Sequence, residues 1–492
     1  MNAMLPGMNL IKFAGIGARV AWSRVFGGDD TLRVLHETLG RIPGAPAKIG
    51  QLMGMRAGQS TAVPDPMPLE QVKAILIGQC PRLVESIDAI SPWCRAASIG
   101  QTHQVRLNNG RLVAAKIQYP GVAKALTEQL DAMFRVAAFS PARHYAFDLT
   151  QTKNFLLQKL LEEIDYLREM DVQRRFFDYY RLSQVIVPEV YPQLGVSSVL
   201  VQSWEDCESL YSVSQSWSRQ LRDKAGEVMT EFLLSSFTGL GVMHTDLNPG
   251  NFGFRLEGER VLLVLYDFGS TFEIAESIVL DFYRWLLATR NGDEMAVRSA
   301  MERLGFSPLH LRHIATKILP LSEVLLAPLI KQGHWNARTW RLQEQMNDIL
   351  GQDKWWFRTA GPPWFLYFMR SFQGWYHGMT ILDATVDVGQ LWAPRERLLI
   401  KKLVVGAGNG ELRSTVLRVQ VTEEGETIVD VTLPARAIEN LAELVPDTVQ
   451  QKCLQDGLDL AALGARIMKE GGAPQDVFLT RIGRRHYHVW LS

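Results

Sequence analysis

Strict alternation of apolar and polar positions begins near residue 100. Thr102–Leu107 and Leu112–Gln118 flank Asn109-Gly110, and an Asn-Gly pair suits the primed turn of a two-strand hairpin. Before it, residues 1–27 predict a helix with a basic side (Lys12, Arg19, Arg24) and an otherwise apolar surface. A helical pattern from Asp29 to about Gln79 follows, broken by Pro43, Pro46 and the Pro64–Pro68 cluster. After Pro120 the pattern turns helical over Val122–Ala138 and again from about Leu149 to Tyr180. Short strands are predicted at Ser197–Gln202, Asn251–Phe254 and Val261–Tyr266, with a helix over Ser218–Leu240. Residues 271–400 read as mostly helical and rich in tryptophan. Beyond Gly410 the period changes to two. Ser414–Thr422 and Thr427–Leu433 predict a hairpin, Ala435–Leu444 and Leu458–Lys469 helices, and Val477–Arg481 and Tyr487–Leu491 closing strands.

At 492 residues the chain exceeds one compact core. Its 52 basic residues balance 52 acidic ones, so net charge gives no support to a nucleic-acid partner. The four cysteines (80, 94, 207 and 453) form no CxxC pair, which argues against structural zinc and a disulfide framework and fits a reduced cytoplasmic setting. No apolar run approaches the roughly 20 residues that span a bilayer. Membrane contact, if made, falls to the N-terminal helix at the inner membrane face or to the aromatics Trp335, Trp340, Trp355, Trp356, Phe357, Trp364, Phe365 and Trp375, whose commoner use is core.

The chemistry lies in three short stretches. His244-Thr-Asp246-Leu-Asn-Pro-Gly-Asn251 carries a histidine, an aspartate two positions on, and an asparagine five after that. This is the spacing of a kinase catalytic loop, in which the aspartate orients an attacking hydroxyl and the asparagine holds a metal ion on the phosphates. Asp267-Phe-Gly269 follows an apolar strand, as a metal-binding DFG carboxylate should. Lys116, in Val113-Ala-Ala-Lys116, occupies the strand position from which a lysine reaches the α- and β-phosphates. Such a lysine needs a carboxylate to aim it. In Glu162-Glu-Ile-Asp-Tyr-Leu-Arg-Glu169 an unbroken helix would put Glu162 and Glu169 on one face and point Glu163 and Asp165 elsewhere, which leaves the choice open. A glycine-rich phosphate loop is missing; Arg95-Ala-Ala-Ser-Ile-Gly-Gln101 stands in its place, read as a loop before the first strand.

These blocks, in this order, resemble the UbiB family, the aarF-domain or ADCK-type atypical kinases associated with ubiquinone and other isoprenoid-lipid metabolism. Lys48-Ile-Gly-Gln51 matches the family's KxGQ, Ala96-Ala-Ser98-Ile-Gly-Gln101 its alanine-rich loop, and Val113–Val122 its lysine strand. Glu163-Ile-Asp165 with Glu169 matches its ExD motif and helix glutamate. The resemblance covers roughly residues 40–290. It departs from the family at Arg95, where a third alanine is usual, and at Ser203, where an acidic residue is common.

The resemblance implies an α+β, atypical protein-kinase-like fold of two lobes. Its parts are an N-terminal helical KxGQ extension (1–90), an N-lobe (91–205), a mostly helical C-lobe (206–405) and a small α+β domain (410–492) outside the common core. It implies Lys116, Glu169 and Asp246 as catalytic residues, and Asn251 and Asp267 as ligands of Mg2+. Ala96, Ala97, Ser98, Lys116, Gln202 and Ser203 would bind ATP or ADP, and Lys48, Gln51, Glu163 and Asp165 would close the region where a peptide would enter. The expected activity is ATP hydrolysis or phosphate transfer to a small, lipid or quinone-like acceptor. The alternative is a nucleotide-gated lipid chaperone or scaffold.

Overall fold

Val113, Ala115 and Ile117 alternate with Ala114, Lys116 and Gln118, and this period of two builds the first sheet. The computed structural model describes residues 66–492 except 98, 125, 129–130, 132–153, 155–156, 159, 332, 409–413, 424–425 and 470. The chain divides into two units, Met1–Trp392 and Ala393–Ser492.

In the first unit, helices α1 (Leu69–Gln79) and α2 (Pro81–Ser86) lead into strands β1 (Ile87–Ala96), β2 (Gly100–Leu107) and β3 (Leu112–Gln118). After α3 (Tyr166–Tyr180) and β4 (Val185–Ile186) comes β5 (Val199–Ser203), giving an antiparallel sheet of order β1-β2-β3-β5. One face buries Val105, Val113, Ala115, Ile117, Val199 and Val201 against Val72, Leu76 and Leu83 of α1 and α2. On the other face Lys116 stands in register with Leu200, and Leu200 packs on Tyr166 and Met170 of α3. The lysine is thereby fixed on the side where α3 lies.

The chain then forms β6 (Glu208–Ser209), α4 (Leu210–Ser216) and α5 (Arg219–Ser235), the last followed by a π-helical turn that Gly241 closes at φ 69°. Strand β7 (Val242–His244) pairs with β10 (Thr271–Glu273), while β8 (Phe252–Glu257) and β9 (Arg260–Leu265) sit inside the sheet β4-β9-β8-β6. Helices α6 (Glu276–Arg290) and α7 (Glu294–Arg303), short helices between 308 and 360, and the long α8 (Pro363–Leu382) complete this lobe. Most of the tryptophan-rich segment is core. Trp340, Phe357, Phe365 and Trp375 are buried, and Trp335 stacks on Trp375 at 5.0 Å.

The second unit is a separate α+β layer. Strands β11 (Val416–Glu423), β12 (Glu426–Pro434), β13 (Gln475–Ile482) and β14 (Arg485–Leu491) form a sheet of order β12-β11-β14-β13, with α9 (Asp447–Gln455) and α10 (Leu460–Lys469) between the hairpins. Leu417, Val489 and Leu491 from the sheet share a core with Val449, Leu460 and Ile467 from the helices.

Three sequence expectations need correction. Residues 95–101 are not a loop ahead of the first strand: β1 precedes β2 and runs through Arg95, and only a tight turn remains, in which the Ala97 N–H donates to Gly100 O at 2.8 Å. The helical reading of Leu149–Tyr180 breaks at Ile164–Asp165, because the Asp165 carboxylate accepts from the Leu167 and Arg168 N–H groups and starts α3 afresh. Helix α9 was unanticipated. On β14, His488 lies 2.6 Å from Asp476 of β13. Residues 1–27, Lys48, Gln51 and Ser98 lie outside the described residues.

Candidate active site

Lys116 reaches from β3 to Glu169 on the first turn of α3. Its Nζ donates to Glu169 Oε1 at 2.6 Å and stands 3.8 Å from Asp267 Oδ2. Both members of the nearer pair are buried, with side chains 10% and 3% exposed. Burial works against the lysine charge, but Asp267 and Glu169 outweigh it and raise its pKa above the ordinary value. Burial, with Asp267, pushes the Glu169 carboxyl up, against Lys116 and the Phe268 N–H, which donates to Oε1 at 3.1 Å. Gly269 completes the corner: a Cβ there would stand 3.3 Å from Glu169 Oε2.

The break before α3 decides which acidic residues face inward. Glu169 and Glu163 are buried, Glu163 beside Tyr367 of α8, whereas Glu162 turns to Arg168 at 3.0 Å and Asp165 is spent on the helix cap. The face shared by Glu162 and Glu169 in a continuous helix therefore does not exist.

Asp246 and Asn251 are held by the loop between β7 and β8. The Asn251 Nδ2 donates to Asp246 O at 3.1 Å and to Asp246 Oδ2 at 3.0 Å, so its Oδ1 turns away from that carboxylate. The Asp246 N–H donates to His244 Nδ1 at 3.3 Å, which puts the ring proton on Nε2, where it is donated to Asp267 O at 2.5 Å. Burial lowers the His244 pKa and keeps the ring neutral. Behind these loops Phe176, Phe232, His244 and Phe268 form a buried aromatic column, with ring separations of 5.1 to 6.5 Å.

Gln202 sits deeper in the cleft wall, accepting from Gln173 at 2.8 Å and donating to Tyr266 O at 3.1 Å. Ser203 pairs with Val113 on the opposite face of the sheet, and its hydroxyl serves Glu189 and Glu205. Ala96 ends β1 and Ala97 opens the turn to β2.

One residue of the site escaped sequence reasoning. Arg370 on α8 is buried; its NH2 lies 3.7 Å from Asp246 Oδ1 and its NH1 donates to Ser270 Oγ at 3.2 Å. Nothing local distinguishes it, since it meets the loop between β7 and β8 only through the docking of α8.

The donor set fits a small hard cation. Asp267 offers a carboxylate and Asn251 an amide oxygen, and Mg2+ is commonly held by one or two protein oxygens with waters and substrate phosphates. The cluster thus combines a fixed ammonium, oxygen ligands and a carboxylate held by a loop asparagine and a guanidinium, a set suited to phosphoryl chemistry.

Residues 65–301 match the ABC1 atypical kinase-like domain. The chain is 26% identical over 382 residues to the mitochondrial atypical kinase coq-8 of Caenorhabditis elegans, covering 72% of this chain and 49% of that protein. It is 23% identical over 322 residues to the mitochondrial atypical kinase COQ8 of Saccharomyces cerevisiae, covering 62% and 63%. Against the mitochondrial atypical kinase COQ8B of Danio rerio the identity is 27% over 294 residues, covering 55% and 45%. The chain spans about half the length of the curated relatives it matches. Among solved structures it is similar to Rv3197 of Mycobacterium tuberculosis, determined with erythromycin, with a TM-score of 0.51 and 22% identity over 78% of this chain and 96% of that one. The fold is α+β with a kinase-like architecture. The match bears out the resemblance of the sequence blocks to the ABC1/aarF atypical kinases of the UbiB family.

Proposed function

We propose that the protein binds MgATP and either hydrolyses it or transfers its phosphate to a small, lipid or quinone-like acceptor in isoprenoid-lipid metabolism. The observation that carries this reading is the meeting of Lys116, Glu169 and Asp267, three residues distant in sequence, at 2.6 and 3.8 Å. Lys116, aimed by Glu169, grips the α- and β-phosphates. Asp246, oriented by Asn251 and Arg370, receives the attacking hydroxyl or water. Asn251 and Asp267 hold Mg2+, which when bound neutralises the phosphate charge. The backbone about Ala97 and Gln202 borders the nucleotide. Glu163, buried beside Tyr367, belongs with Asp165 to the segment that narrows the acceptor side.

Asp267→Asn tests this. The parent protein is expected to gain thermal stability with MgATP, since a ligand of the folded state raises its stability, and the variant to lose most of that gain. An equal gain in both would refute the assignment.

An apolar cavity of about 80 Å³ in the helical lobe, lined by residues such as Phe237, Phe282, Trp285, Phe368 and Trp392, favours a second reading. In it the nucleotide gates the binding of a lipid and no phosphate is transferred. Phosphate release measured with and without liposomes or ubiquinone-like phenols separates the two. Among the described residues no helix is long and apolar enough to cross a membrane.

A further inference from the structure

Arg95 stands where the family's loop usually has alanine, and the strand register says where its side chain goes. Arg95 pairs with Thr102 on β2, and Thr102 pairs with Lys116 on β3. Residues directly opposite across neighbouring strands project to the same face. Arg95 and Lys116 therefore share one rank and one face, about 10 Å apart at the backbone for strands spaced roughly 4.8 Å.

That face is the cleft. The Arg95 guanidinium crosses to the catalytic lobe, donates to the Tyr266 hydroxyl at 3.3 Å and lies 5.8 Å from the centre of that ring. Its other terminal nitrogen comes within 3.2 Å of where a Cβ on Gly250 would stand. Tyr266 and Gly250 immediately precede Asp267 and Asn251, so the cation hangs over the backbone of both candidate metal ligands.

Among the described residues Arg95 meets no carboxylate, and a neutral phenol and a ring face are weak partners for an exposed guanidinium. Among the described residues the inner end of the cleft, by contrast, has Glu169, Asp246 and Asp267 against Lys116 and Arg370. A polyphosphate entering there brings more negative charge to a region already short of cations. A planar guanidinium with paired N–H donors is the group suited to it.

We propose that Arg95 is a second phosphate-binding side chain of the nucleotide site. It leaves the Tyr266 hydroxyl to grip the phosphate chain beside Lys116, from the same face of the sheet. This rests on the nucleotide-binding reading above and assigns a residue that the family's alanine loop does not supply.

The test is titration of adenosine, AMP, ADP and ATP, with and without Mg2+, into the full chain and its Arg95→Ala and Arg95→Lys variants. Because Arg95 is exposed, both variants should melt with the parent. Arg95→Ala is expected to weaken ADP and ATP roughly tenfold while leaving adenosine unchanged. Arg95→Lys is expected to recover part of the loss, having the charge without the fork. Equal affinity in Arg95→Ala, an equal loss for adenosine, or tighter binding (the mark of a side chain that merely blocks the cleft) would each overturn the proposal. If the parent itself binds no adenine nucleotide, the functional reading fails and this inference with it. If the parent binds and Arg95→Ala matches it, only this inference fails.

Discussion

Replacing Glu169 by glutamine removes a charge from the most tightly held pair in the site while keeping its shape. At 2.6 Å and an effective dielectric near 20, the gross attraction between Lys116 and Glu169 is about 6 kcal/mol, and at 3.8 Å that to Asp267 is about 4 kcal/mol. Breaking a buried pair that has no substitute partner costs about 3–5 kcal/mol net. Lys116 has a substitute in Asp267, so Glu169→Gln should cost less, about 2 kcal/mol. Lys116→Met should cost about 3–5 kcal/mol, because it leaves Glu169, 3% exposed, facing Asp267 with no ammonium between them. In the double variant the glutamine carries no charge to strand, so the two costs should fall short of additivity by about 2 kcal/mol.

Urea unfolding followed by tryptophan fluorescence reads this directly, since all of the thirteen tryptophans but Trp490 precede residue 393 and report on the unit holding the site. Nucleotide binding supplies a second readout. In Glu169→Gln the lysine is drawn onto Asp267, the candidate Mg2+ ligand, and MgATP affinity should fall more than stability does. Costs that add to within about 0.5 kcal/mol would mean that the residues do not act as a pair, and the geometry on which the functional reading stands would be wrong.

Four further outcomes follow from the structure. Burial holds the His244 pKa below 6.5, so its contribution to stability is complete above that value and is lost as pH falls through the lower folded value. His244→Phe should flatten the decline in melting temperature below about pH 6.5, and an unchanged slope would place the acid sensitivity elsewhere. Arg370→Met takes the cation from Asp246 and should cut turnover while leaving nucleotide affinity near that of the parent; an equal loss of affinity would show a structural part only. Gly374→Ala would put a Cβ 2.7 Å from that of Leu247 and 2.8 Å from its carbonyl oxygen, and should cost about 1–3 kcal/mol with lowered turnover. Gly78→Ala in α1, where nothing lies within 4 Å, should instead stabilise by about 0.5–1 kcal/mol.

What could be read in advance was what short sequence spacing controls. His244, Asp246 and Asn251 lie on one loop, and Asp267 ends an apolar strand, so their pattern survives without knowledge of the fold. The hairpin around Asn109-Gly110 was equally local, and Gly110 does adopt a φ of 80°. The choice among Glu162, Glu163 and Glu169 was not local. It turned on the Asp165 cap, which resets the helical phase and sends Glu162 outward. Strand β1 was hidden because Ile87–Ala96 includes Asp88, Ser91 and Pro92 and has two register shifts against β2, which its place at the sheet edge tolerates. The shared rank of Arg95 and Lys116 needed that strand, and so could not be seen without it.

Arg370 shows the limit of motif reading most clearly. Two positions after Asp246 stands Asn248, an uncharged residue whose side chain accepts the Gly250 N–H at 3.2 Å and shapes the loop. A cation beside Asp246 has to come from elsewhere, and α8 brings it. On that helix Arg370, Ser371 and Gly374 share one face by their spacing. Ser371 donates to His244 O at 2.7 Å, and Gly374 lets the helix lie against Leu247. A different face of the same helix, with Phe365, Phe368, Phe372 and Trp375, lines the apolar cavity. The placement of the guanidinium at Asp246 is thus a property of how the whole helical lobe packs. It therefore responds to substitutions, such as Gly374→Ala, that touch no charged group.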